Sequence, residues 1–82
     1  MKIYIQDSKG TKVPFDIDEN DSVLTLRNKA IVKLGIKNDV KFLFNGNILE
    51  DNESLSTYDV EEGVVIIYCG AFIAGILYYF IN

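Results

Sequence analysis

Apolar and polar positions alternate at the start of the chain. Ile3 and Ile5 lie on one side, and Lys2, Tyr4 and Gln6 on the other, the period-two pattern of a half-buried strand. Asp7-Ser8-Lys9-Gly10 supplies turn chemistry. Alternation resumes with Val13, Phe15 and Ile17 against Lys12, Pro14 and Asp16, so the first seventeen residues predict a hairpin. Pro14 has no N–H to give to a ladder and is expected at an open edge or a bulge. The period then changes. Val23, Leu26, Ala30 and Leu34 recur at helical spacing behind Asp21 or Ser22, either of which suits an N-cap, and Gly35 suits a stop. A helix is predicted over about residues 22–34. Its later turns carry Lys29 and Lys33, which complement the negative end of the helix dipole. Leu24 and Ile31 fall off the apolar stripe and are expected to be partly exposed.

After a short loop containing Ile36, the run Val40-Lys41-Phe42-Leu43-Phe44 predicts a strand, and Asn45-Gly46 predicts a two-residue hairpin turn. Ile48 and Leu49 begin the return strand, which Glu50-Asp51-Asn52 ends. Leu55 to Val60 predicts one helical or 3₁₀ turn with two buried anchors, and Glu61-Glu62-Gly63 a turn. Val64 to Tyr68 is a β-rich run. The predicted order is ββ, α, ββ, short turn, β, an α+β pattern.

Composition adds an asymmetry. The 82 residues make one domain near the lower size for a self-sustaining core. All 12 Asp/Glu and all 8 Lys/Arg lie in residues 1–62, and residues 63–82 carry no charge. A net charge of −4 with dispersed basic residues argues against nucleic acid as a partner. There is no His, one Cys, and no glycine-rich phosphate loop, so no nucleophile–base pair or nucleotide cradle is present and no enzyme is expected. The acidic runs at Asp16–Asp21 and Glu50–Glu53 lack the spacing of a calcium loop, so neither a metal nor a cofactor is expected. The lone Cys69 cannot form an internal disulfide, and the N-terminus turns polar too soon for a signal peptide. The expected address is cytoplasmic or nuclear.

Several short motifs together resemble the ubiquitin family over residues 1–69: Met1-Lys2-Ile3-Tyr4-Ile5, Gly10 in the first turn, Leu34-Gly35-Ile36 after the helix, Phe44-Asn45-Gly46-Asn47-Ile48-Leu49-Glu50-Asp51, and Leu55-Ser56-Thr57-Tyr58. A one-residue deletion around Lys37–Val40 keeps the register. The resemblance implies a ubiquitin-like β-grasp fold, a mixed sheet curled over one helix, with a domain at 1–69 and an apolar extension at 70–82. The expected core is Ile3, Ile5, Val13, Phe15, Ile17, Val23, Leu26, Ala30, Phe42, Leu49, Leu55, Val60, Ile66 and Tyr68. Tyr58 resembles a family tyrosine whose hydroxyl bonds nearby backbone.

The resemblance also implies two places to look for function. The first is a reactive C-terminal Gly-Gly, and none of the six glycines here adjoins another. Conjugation to substrates is therefore not expected. The second is a protein-binding patch on the open sheet face. Leu43 stands for its central isoleucine, Cys69 for a valine, Ser8 for a leucine, Ile67 for a histidine and Lys41 for an arginine. The expected partners, bound through this face and the apolar C-terminus, are domains of the ubiquitin-binding type or a second copy. Of the lysines used for chain building, only Lys29 and Lys33 match, while Gln6, Thr11, Arg27, Asn47 and Glu62 replace the others.

The uncharged stretch 63–82 would span about 30 Å as a helix, enough to reach across a bilayer, with Tyr78 and Tyr79 as interface anchors and Ala71 with Gly75 as a small-residue pair. A membrane role through 63–82 conflicts with the use of Val64–Tyr68 as a central strand. If that strand is kept, the remainder is about 20 Å of helix, short of the hydrocarbon thickness. The remaining arm is expected to pack over Leu43, Val65 and Ile67, to pair with a second copy, or to touch a membrane interface.

Overall fold

The computed structural model describes residues 1–70 and, beyond them, the backbone of Phe72–Ile73 and Ile76–Leu77. The alternating N-terminus forms β1 (Lys2–Gln6) and β2 (Lys12–Asp16), an antiparallel hairpin pairing Ile3 with Phe15 and Ile5 with Val13. The helical repeat forms α1 (Val23–Leu34). Of the two capping candidates, Ser22 takes the role: its Oγ accepts from the Thr25 N–H at 3.1 Å. Asp21 instead accepts from the Asp18 N–H at 2.9 Å, closing the preceding turn. Gly35 ends α1 in the left-handed conformation (φ 68°) and returns its N–H to the Ile31 carbonyl.

β3 (Lys41–Phe44) turns through Asn45 (φ 52°) and Gly46 (φ 79°) into the two-residue β4 (Asn47–Ile48), because both turn positions tolerate positive φ. A 3₁₀ turn follows at Leu55–Tyr58, then β5 (Val65–Cys69), one residue later than the apolar run predicts. The shift leaves Val64 as the residue whose carbonyl receives the Tyr4 N–H, at 2.9 Å. The sheet order is β2-β1-β5-β3-β4. β5 runs parallel to β1 and antiparallel to β3, so it is the central strand. Residues 65–69 are thus committed to the sheet, and a helix over 63–82 would have to remove its middle. Among the described residues no helix is long and apolar enough to cross a membrane. Phe72–Ile73 (β6) and Ile76–Leu77 (β7) pair antiparallel as a separate ribbon. The expectations about Ala71, Gly75, Tyr78 and Tyr79 lie outside the described residues.

The α1 stripe covers one sheet face. Ile3, Ile5, Val23, Leu26, Ala30, Phe42, Leu55 and Ile66 are fully buried there, and Phe15, Ile17, Leu49 and Val60 nearly so. Two expected core residues differ: Val13 and Tyr68 are only half-buried and pack against the core's margin. Val13 belongs to the edge strand β2, and Tyr68 lies near the end of β5. Val40 and Arg27 are buried though not expected to be. Leu24 is exposed and Ile31 half-buried, as their off-stripe positions require.

Candidate functional site

Alternation on β3 and β5 sorts their side chains between two faces. Phe42 and Ile66 point to the helix and are sealed from solvent. Leu43, Val65 and Ile67 point the other way and are half-buried. The ladder sets Leu43 directly opposite Ile67 and Lys41 opposite Cys69. With Phe44 and Ile48, the three open-face aliphatics line a groove of about 650 Å³ that ends at the Asn45-Gly46 turn. An aliphatic floor bounded by turn backbone suits an apolar side-chain row on a partner.

Ser8 sits exposed at the tip of the first turn, where Asp7 fixes the loop by accepting from the N–H groups of Lys9 (2.9 Å) and Thr11 (2.8 Å). Ser8 and Ile67 border one depression beside the groove. Lys41 is half-buried at the far end of β3. Cys69 differs from its expected place on the accessible patch. It is 1 % exposed, and its thiol donates to the Lys41 carbonyl at 3.6 Å. Burial pushes the Cys69 thiol up from its ordinary range, and the Lys41 charge opposes more weakly. The structure therefore brings Leu43 and Ile67 together, sets Ser8 at the rim and Lys41 at one end, and gives Cys69 no accessible surface.

Sequence reasoning passed over Phe44 and Ile48 as groove residues. For Ile48 the signal was present, because a two-residue Asn45-Gly46 turn sets it opposite Leu43; Phe44 alternates with Leu43, packs against the core's margin and also borders the groove. Sequence reasoning also passed over Arg27, which is 6 % exposed inside α1. The Arg27 guanidinium donates to the Asp51 carboxylate (2.9 Å) and to the carbonyls of Asn38 (2.9 Å) and Val40 (2.6 Å), and lies 5.0 Å from the centre of the Phe42 ring. Five N–H donors in a planar fork make this three-way clamp natural for arginine. The Tyr58 hydroxyl accepts from the Glu50 N–H at 2.9 Å, the backbone bond its position suggested. Both residues hold the loop after β4 to the domain and lie away from the groove.

Among the described residues no group of three or more His, Cys, Asp or Glu is placed to hold a metal ion. The ubiquitin family model matches residues 3–70, the span from β1 to the end of β5. The chain belongs to the ubiquitin family. Among the described residues, a five-stranded mixed sheet and one α-helix make up the ubiquitin-like fold. Ubiquitin-like domains are typically non-enzymatic modules that mediate protein interactions. The open sheet face of this ubiquitin-like domain carries an aliphatic groove, with Lys41 at the far end of β3 and the turn at Ser8 beside it.

Proposed function

We propose that this ubiquitin-like domain is a protein–protein interaction module. It binds partners through the Leu43–Ile67 face, aided by Ser8 and Lys41, and acts without being joined to substrates. The observation that carries the reading is the open-face groove, whose floor of Leu43, Val65 and Ile67 remains half-buried while the opposite face of the same strands is sealed. A partner helix with an apolar stripe and an acidic residue positioned for Lys41 fits this arrangement.

The test is a titration of the ¹⁵N-labelled chain with a small helical domain of the ubiquitin-binding type. Amide shifts should centre on Leu43, Val65 and Ile67, and Leu43→Asp should abolish them while leaving the far-UV spectrum intact. Shifts confined to the α1 face, or binding indifferent to Leu43→Asp, would overturn the surface assignment. Incubation with a ubiquitin-activating enzyme and ATP should leave the chain without a thioester, and formation of one would overturn the non-conjugated reading.

A further inference from the structure

β2 is an edge strand, and the phase of its ladder can be read from the bonds that flank it. Met1 and Ile17 exchange both backbone bonds (2.7 and 2.9 Å), and the Asp7 N–H donates to Thr11 at 2.9 Å. With the β1–β2 register, the odd residues from Thr11 to Ile17 therefore bond inward to β1. The even residues Lys12, Pro14 and Asp16 turn their backbone groups outward, toward the place a further strand would take. An exposed row of this kind is a template for pairing with another chain.

This row is occupied. Pro14 removes the central donor, and its ring fills the space an incoming carbonyl would need. The Lys33 ammonium donates to the Pro14 carbonyl, and the Lys29 ammonium donates to the Asp16 carbonyl at 2.8 Å. The two lysines are one helical turn apart on α1, so a single helix face reaches both acceptors. Lys33 is steadied by the Phe15 ring, 4.8 Å from its nitrogen. These bonds, rather than the dipole of α1, account for where the two ammoniums sit.

We infer that Lys29 and Lys33 are edge caps, which together with Pro14 close β2 to strand addition and leave recognition to the sheet face. The inference rests on the proposed face only for that last clause. It also gives the two lysines that match family attachment sites an engaged position on the domain's own backbone. Without the caps and the proline, β2 is self-complementary. A two-fold antiparallel pairing centred on residue 14 sets Lys12 of one copy opposite Asp16 of the other, with opposite charges and both outward backbone bonds made.

The test compares the full chain with Pro14→Thr, with Pro14→Thr/Lys29→Met/Lys33→Met, and with Pro14→Thr/Lys9→Met/Lys37→Met as the control for added apolar surface. Sedimentation velocity should show the Pro14→Thr chain and the control associating no more than the parent chain. The Lys29/Lys33 variant should associate severalfold more, with amide protection appearing at Lys12 and Asp16. Adding Lys12→Asp should reverse this by setting like charges opposite each other. Equal association of the Lys29/Lys33 variant and the control, or protection elsewhere than β2, overturns the inference. A second readout needs no variant. Acetylation of the native chain with an N-hydroxysuccinimide ester should reach Lys29 and Lys33 severalfold more slowly than Lys9 and Lys37, and equal rates count against the caps. Neither readout depends on whether Leu43 binds a partner.

Discussion

Arg27 Nε lies 2.9 Å from the Asp51 carboxylate, linking α1 to the loop after β4, but the two ends of this pair are unlike. The Arg27 side chain is 7 % exposed and the Asp51 side chain 46 %. Solvent screens the carboxylate, so the ion pair itself contributes little. The weight falls on the carbonyls of Asn38 and Val40, which the same guanidinium satisfies. Asp51→Asn should therefore lower stability by less than about 1 kcal/mol. Arg27→Met keeps the stem and orphans both carbonyls, at a cost of about 1–3 kcal/mol. Urea unfolding of the two variants checks the order, and a larger loss for Asp51→Asn would contradict it.

Tyr58→Phe isolates one hydrogen bond, because the ring stays and only the acceptor for the Glu50 N–H is lost. Glu50 is exposed and water can replace the hydroxyl, so the loss should be about 0.5–1.5 kcal/mol. A domain of this size then melts several degrees lower, at roughly 4–8 °C per kcal/mol. Calorimetry of the variant measures it directly.

Ser22→Ala removes the side-chain acceptor for the Thr25 N–H at the start of α1. The expected loss is about 1 kcal/mol, and Ser22→Asp should recover most of it because Asp accepts the same bond. A fall with Asp as large as with Ala would contradict the cap as the source of the cost.

The elements were legible where local chemistry and long-range packing agree. Asn45-Gly46, Gly35 and the Val23–Ala30 stripe each specify one conformation without help from distant residues. The central place of β5 followed from its β-branched run once the resemblance supplied the topology. What stayed hidden depends on three-dimensional neighbours. Arg27 reads as a surface charge until α1 is laid against the loops at Asn38 and Asp51. Cys69 shares the alternation of Val65 and Ile67, yet periodicity assigns only a face and says nothing of what encloses that face. Lys29 and Lys33 look like dipole partners because i, i+4 spacing describes the helix and not the strand edge beside it.

Cys69 offers a pH-dependent test of its enclosure. Burial raises the folded-state thiol above its unfolded value, so on raising the pH the unfolded chain loses this proton first. Stability linked to Cys69 is then fully present below the unfolded thiol's value of about 8.5 and is lost progressively as the pH climbs from there toward the folded-state value. The measured quantity is the difference between the parent chain and Cys69→Val, which lacks the thiol and keeps an apolar side chain. The melting temperature of the parent should fall relative to Cys69→Val between about pH 8.5 and pH 10 and track it below about pH 8. Over the same range a disulfide reagent should label the native thiol at least roughly tenfold more slowly than the urea-unfolded chain. A parent chain that gains stability relative to Cys69→Val as the pH rises would mean the thiolate is the favoured folded form, with the Lys41 charge outweighing burial.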